Sequence, residues 1–468
     1  MPPMMIRTRP ARHSRWSIVA LVLALLQHAI SPGAVRGETE ESLGRKFSLF
    51  AQAQLPMVQD YTVRRYIQRI GQRIVARLEH PDFEYRFTVV HEPHINAFSV
   101  PGGYIYMHSG LIQRAQSDDE VASVMGHEIA HSQGHHMVRQ QEDTKLLSYA
   151  GIAAMVLGLI NPVLAAGAST LTGAAQMKYM RQLEEEADFR GLQNMQQAGY
   201  DPNAMTRFFE TMHNEERFDN PDAIPPYFRS HPMSKERMSY IERTIKTMQW
   251  NQTEPPDPFT LNRVKAILNA MQGSRGRVIP EYEKLVADHP DDPKAQALLG
   301  TVLFRFNEWD RARQLFEQAA TKGVRLDREL GLAYLRLGQR DQARQAFLRH
   351  SEIDPEDADA HHQLCAMFFQ DGDAARAEQE CRTALKLDPQ HDEAYIALAQ
   401  ILDRQPGKGV ESRLLLASAM ELQGRLQAAL IQYQQVEKAL GAEHERTAEM
   451  KKKIEELEEL ISQMPYRR

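Results

Sequence analysis

The C-terminal half of this 468-residue chain keeps a fixed period. Asp354-Pro355 and Asp388-Pro389 stand 34 residues apart. Gly331, Ala343 and Phe347 share their mutual spacing with Gly300, Ala312 and Phe316 before them and with Cys365, Ala377 and Cys381 after them. A period of this length is one pair of helices, which buries its apolar face only by stacking on the next pair. The small residue lets the paired helices approach, and the aromatic fills the gap between them. Units around Ala266, Tyr282 and Pro290, and around Ala417, Gly424, Ala429 and Tyr433, extend the array at its two ends. The unit from Gly300 to Gly331 is three residues short, so one junction is irregular. The run 448–463, rich in Glu, Lys and Leu, reads as a solvated capping helix. Such arrays form curved protein-binding surfaces, and no catalytic constellation is visible in this one.

The chemistry lies in the first half, in Gly126-His127-Glu128-Ile129-Ala130-His131. On a helix, His127 and His131 project from one face a turn apart and can reach one metal ion, with Glu128 beside them to hold and deprotonate a water. Neutral imidazoles suit zinc, and zinc makes water a usable nucleophile near neutral pH. With 18 His in the chain, an HExxH arises by chance in roughly one such sequence in twenty, so its surroundings decide its meaning. Ser117-Asp118-Asp119-Glu120 supplies a polar cap and first-turn acids, and Gly134 a stop, which predicts a helix from Asp118 to Gln133. His135 and His136 fall beyond that stop and read as surface residues, His135 being the nearer competitor for a metal.

Upstream, residues 39–80 read as an amphipathic helix against the catalytic core, and Tyr85–Val90 as a strand. Two strand-like runs then flank Pro101-Gly102-Gly103, and a strand beside the metal helix, carrying Asn96, Ala97 and Phe98, can bind an extended peptide through its main chain. A catalytic zinc takes three protein ligands. Downstream, the acidic helical segment Arg181–Gly191 places Glu184 and Asp188 on one face, the first able to ligate and the second to accept a hydrogen bond from a ligand histidine. Spacing alone leaves open an acidic solvated face and a choice among Glu184, Glu185 and Glu186.

In order and spacing, Asn96-Ala97-Phe98 with Pro101–Tyr106, the HExxH run, and Glu184-Glu185-Glu186-Ala187-Asp188 resemble the zinc peptidase family that includes the CAAX prenyl proteases and HtpX-like proteases. The resemblance implies Glu184 as third ligand and one Zn2+ per chain. Phe228–Arg237 resembles the family's His-Pro element, which implies that His231 works at the site. There it either stabilises the oxyanion or covers the open zinc position; its plain alternative is to cap the next helix. Arg237 is expected to orient nearby carboxylates. The 34-residue period is that of tetratricopeptide repeats. The expected fold is therefore mainly α: a helical zincin-type metallopeptidase domain with a small β-sheet, followed by a tetratricopeptide α-solenoid.

Arg7, Arg9, Arg12 and Arg15 precede an apolar run from Trp16 to Leu26 that is short for a membrane span, the order of a cleaved secretory signal. The expected divisions are a signal peptide at 1–37, the peptidase at 38–254 and the repeats at 255–468. Residues 146–175 carry no charge and read as a lid over the cleft, core packing or a peripheral membrane contact. A net charge of -6 gives no nucleic-acid signature. Cys365 and Cys381 sit where paired helices touch, as an intra-repeat disulfide or two buried thiols. With the repeats, the resemblance implies a periplasmic endopeptidase that removes misfolded or misassembled outer-membrane proteins while the repeats hold the barrel assembly machinery or the client. The alternative is a chaperone or assembly factor in which proteolysis is secondary or autoinhibited.

Overall fold

The computed structural model describes residues 39–139, 174–219, 226–250 and 258–463. The signal-like N-terminus and residues 146–173 lie outside the described residues, as do most of the two proline-rich boundaries. Among the described residues no helix is long and apolar enough to cross a membrane.

Residues 39–80 form two helices rather than one, α1 (Glu40–Gln54) and α2 (Tyr61–Val75). Pro56 stands at the break, where it has no N–H to continue a helix, and Met57 bridges to Val90. Asp60 caps α2 by accepting from the Val63 N–H at 3.1 Å. The buried stripe Val63, Tyr66, Ile67, Ile70 and Ile74 turns α2 onto the N-terminal core. Three strands follow: β1 (Arg86–Val90), β2 (Ala97–Val100) and β3 (Tyr104–His108). β3 is central, parallel to β1 and antiparallel to β2, which leaves β2 at the edge of the sheet. The tight turn at Pro101–Gly103 joins β2 to β3. Then come the short α3 (Ser109–Arg114), α4 (Asp118–Gln133), α5 (Ala174–Gln197), α6 (Asn203–Asp219), α7 (Pro226–Ser230) and α8 (Lys235–Thr247).

The remaining helices stack in pairs: α9 (Phe259–Gln272) with α10 (Arg275–Asp288), α11 (Pro293–Arg305) with α12 (Trp309–Thr321), α13 (Asp327–Arg336) with α14 (Arg340–Ile353), and α15 (Ala358–Gln370) with α16 (Ala374–Leu387). After them come α17 (Asp392–Asp403), α18 (Gly409–Leu422), α19 (Leu426–Leu440) and α20 (Thr447–Gln463). The short unit is short because α13 has 10 residues where α11 and α15 have 13. A methyl group on Gly300 would lie 2.7 Å from the Phe316 ring, and one on Gly331 2.8 Å from Phe347. Each aromatic thus fills the space its glycine leaves.

In the next repeat the same two positions are Cys365 and Cys381, joined by a disulfide with their Cα atoms 5.3 Å apart. A covalent bond takes the place of the glycine–aromatic contact. It closes a loop with a sequence separation of 16, so Cys365→Ala with Cys381→Ala should cost about 3 kcal/mol in a urea unfolding experiment. The pair Cys365→Gly with Cys381→Phe should cost less, because it restores the packing of the two preceding repeats. Equal losses for both pairs would refute that equivalence.

Solenoid and N-terminal domain are joined along their length. Leu261, Val264, Ile267 and Leu268 of α9 are buried in the N-terminal core while Ala266 of the same helix belongs to the repeats. At the far end Leu49 and Phe50 of α1 pack among Ala417, Leu426, Leu430 and Ile454. Between these ends, Arg64 pairs with Asp388 at 2.6 Å and Arg65 with Asp354 and Asp357 at 2.8 Å each.

Candidate metal centre

α4 runs from Asp118 to Gln133, with Ser117 accepting from the Glu120 N–H at 3.3 Å and the Glu120 carboxylate accepting from the Gln116 N–H at 2.7 Å. The helix is buried along nearly its whole length, which puts His127 and Glu128 out of water. α5 lies directly against it. A Cβ on Gly191 would come within 3.1 Å of the His127 backbone, and one on Gly126 within 3.1 Å of the Gly191 carbonyl oxygen. This close approach brings Glu184, two turns earlier on α5, onto the histidines.

His127 Nε2 and His131 Nε2 are 3.0 Å apart, with Glu184 Oε2 3.5 Å from the first and Glu184 Oε1 3.4 Å from the second. Tetrahedral zinc with bonds of about 2.0–2.1 Å needs ligand atoms about 3.3–3.4 Å apart, so this donor set fits such an ion. Glu128 is fully buried and neither of its carboxylate oxygens makes a hydrogen bond. A buried carboxylate that makes no hydrogen bond is costly. His231 closes the cluster: its Nδ1 is 3.3 Å from His127 Nε2 and 3.1 Å from Glu184 Oε1, and its Nε2 is 3.5 Å from Glu128 Oε1. One imidazole therefore stands against the donor set and against Glu128 at once. It does not cap α8, because Ser234 does, accepting from the Arg237 N–H. His231 sits at the end of α7, stacked on Tyr227 with ring centroids 4.7 Å apart.

Asp188, one turn after Glu184, lies 3.0 Å from His127 Nδ1. Arg237 neutralises both carboxylates. Its Nε and Nη2 donate to Asp188 at 2.5 and 2.7 Å, and its Nη1 lies 2.7 Å from Glu184 Oε2. Burial alone would raise the Glu184 carboxyl, but the charges of His231, Arg237 and His131 hold it well below the usual range. Asp188 is likewise lowered against burial, chiefly by Arg237. Burial pulls the His127 imidazolium down, yet Asp188 and Glu184 outweigh it and lift it to about 9. His131 is lowered by burial. A cation entering this site displaces the His127 proton, as ligation generally does.

A cleft of about 240 Å³ opens beside the cluster, lined by Phe98, Ser99, Glu128, His131, Glu184 and His231. β2 thus borders the chemistry with its outer edge unpaired among the described residues. The Ala97 and Phe98 side chains face inward, with Phe98 stacked on Tyr106 at 5.1 Å. Asn96 is buried, and its Oδ1 accepts from the Ala97 N–H. Of these three residues Phe98 lines the cleft, followed along the strand by Ser99 and Val100.

The surface expectation for His136 is overturned. It is buried, with its Nδ1 2.8 Å from His131 Nδ1. His135 stays partly exposed and pairs with Glu40 at 2.7 Å, outside the metal cluster. A histidine five places after a ligand is not on the ligand face of a continuing helix, so only the chain reversal after Gln133 brings His136 back. His135 at φ 49° makes that reversal.

Residues 62–245 match peptidase family M48, and residues 277–323 and 328–392 match the tetratricopeptide repeat. The chain is 28% identical over 220 residues to the beta-barrel assembly-enhancing protease of Escherichia coli, covering 45% of each chain. It is 26% identical over 290 residues to the protein of that name in Yersinia pestis, covering 60% of this chain and 59% of that one. It is 30% identical over 185 residues to the mitochondrial metalloendopeptidase OMA1 of Schizosaccharomyces pombe, covering 39% of this chain and 53% of the relative. The chain thus spans about half the length of these relatives.

Proposed function

We propose that this chain, a peptidase M48 domain followed by tetratricopeptide repeats, is a zinc-dependent endopeptidase of the cell envelope. The observation that carries the reading is the three-donor set of His127, His131 and Glu184 beside the buried carboxylate of Glu128, which makes no hydrogen bond. When bound, zinc would supply Lewis acidity at the scissile carbonyl. Glu128 takes a proton from the attacking water and delivers it to the leaving amine nitrogen. Asp188 sets the ring of His127, and the edge of β2 aligns an extended substrate by main-chain hydrogen bonds with little regard to side chains. Substrates are misfolded or misassembled outer-membrane proteins in the periplasm, and the repeats hold the client or the barrel assembly machinery. The relatives' names and the binding habit of repeat arrays support this, and the Cys365–Cys381 bond suits an oxidising compartment. The experiment is zinc analysis of the purified chain with casein cleavage. Less than about 0.2 zinc per chain after growth with zinc, or no cleavage by a zinc-loaded chain, would sink it.

The position of His231 favours a second reading, an assembly factor whose proteolysis is silenced at rest. If His231 blocks the fourth corner, His231→Ala should leave zinc content unchanged and raise kcat/KM on a short unstructured peptide by about tenfold. That corresponds to about 1.4 kcal/mol of blocking free energy. If His231 instead stabilises the oxyanion, the same variant should lose about 10²-fold or more in kcat.

A further inference from the structure

The two motif histidines are steadied from outside in different ways. His127 Nδ1 faces the Asp188 carboxylate directly, 3.0 Å away. His131 Nδ1 instead meets another ring nitrogen, His136 Nδ1, at 2.8 Å, and His136 Nε2, a buried nitrogen with no hydrogen bond of its own, has Glu186 Oε2 3.4 Å away as the nearby carboxylate. We propose that His136 and Glu186 form a positioning relay for His131, doing through two side chains what Asp188 does for His127 in one. The inference rests on the metal-site reading of His127, His131 and Glu184.

The proton inventory permits one arrangement. His131 turns its Nε2 to the cluster, so its proton is on Nδ1, which donates to His136 Nδ1. His136 Nδ1 must then be bare, and its proton lies on Nε2, the atom turned to Glu186. The chain ends on a carboxylate, as outer partners of ligand histidines commonly do. Glu186 is itself fixed, by Arg139 at 3.1 Å and Arg190 at 3.0 Å.

The backbone is shaped for this contact. After α4 the chain reverses through His135 at φ 49°, and a Cβ on Gly134 would stand 2.1 Å from His136 Nε2. The His136 ring occupies room that only glycine leaves at 134, and it is 3% exposed. Three carboxylates of α5 are thereby divided among three tasks: Glu184 toward the cluster, Asp188 behind His127, and Glu186 behind His136. Periodicity explains the division. Glu184 and Asp188 share a face, whereas Glu186 lies off it, toward the end of α4 where His136 folds back.

Zinc affinity tests the relay, by competition with a chromophoric chelator on the full chain, with cobalt(II) absorption as a second readout. His136→Phe keeps a flat ring but cannot accept a proton, and should bind zinc about 10–100-fold more weakly. His136→Gln accepts with its oxygen and donates with its nitrogen, and should stay within about threefold of wild type if the hydrogen-bond pattern is what matters. Wild-type affinity in a folded His136→Phe chain, or equal losses in the Phe and Gln variants, overturns the relay. Should His136→Phe fail to fold by circular dichroism of the metal-free chain, Glu186→Gln decides: weaker zinc binding supports the relay and unchanged binding overturns it. A wild type that binds no zinc overturns the peptidase reading and the relay together, whereas the other negative results remove the relay alone.

Discussion

Glu128→Gln should leave a folded chain that binds zinc as the wild type does and cleaves casein about 10²–10⁴-fold more slowly. The glutamine has the size and shape of the glutamate but cannot take a proton. Glu128 makes no hydrogen bond that its loss would orphan, so the effect should fall on kcat, with melting temperature and metal content unchanged. Comparable cleavage by the two chains would remove Glu128 from the chemistry. If the variant loses cleavage but still supports outer-membrane barrel assembly in cells, the repeats carry a function of their own.

Arg237→Met should be the most destabilising single change at the site. The guanidinium spans two buried carboxylates, Glu184 and Asp188, and removing one partner of a buried ionic group leaves uncompensated charge. The expected loss is about 3–5 kcal/mol, or a fall in Tm of roughly 10 °C for a domain of this size. It should be measured on metal-free protein, so that ligation does not mask it. The pH dependence has a definite sign. Both carboxyls titrate below their ordinary range in the folded chain, so they stabilise it above the unfolded carboxyl pKa, and that stability is lost as pH falls through the lowered values. Below about pH 4 the wild type should therefore lose stability more steeply than Arg237→Met. Parallel curves would show that Arg237 does not govern these acids.

Much of this was legible in the residues. The extent of α4 follows from Ser117 and Gly134, and the pairing of small residue with aromatic from the positions shared by Gly300, Gly331 and Cys365. Local rules carry such features because caps and periods are written in neighbouring residues. The resemblance pointed to Glu184 and His231 and helix spacing to Asp188, and the fold brings all three to the HExxH helix. Three things were hidden. The break at Pro56 turned one expected helix into two and sent the first to the far end of the solenoid. His136 read as surface because a reversal after a helix end is set by tertiary space, here the room at Gly134. Arg237 was expected to orient carboxylates, but that its three donors join Glu184 to Asp188 depends on how α8 crosses α5, which no periodicity states.

The attachment of the repeats at both ends has a mechanical meaning. A coil fixed at one end can lengthen like a spring, but this one is fastened by α9 at its start, by α1 near its end and by Arg64 and Arg65 of α2 between them, and so behaves as a buckled strap. Its first fastening is an apolar helix shared by two cores, while its second adds Arg45 to Glu421 and Glu456, and Lys46 to Glu459. Ion pairs at a surface weaken with salt and apolar contacts do not. Higher ionic strength would therefore slacken the stitches of Arg45, Lys46, Arg64 and Arg65 and leave the apolar seats of α9 and of Leu49 and Phe50 holding the strap in place.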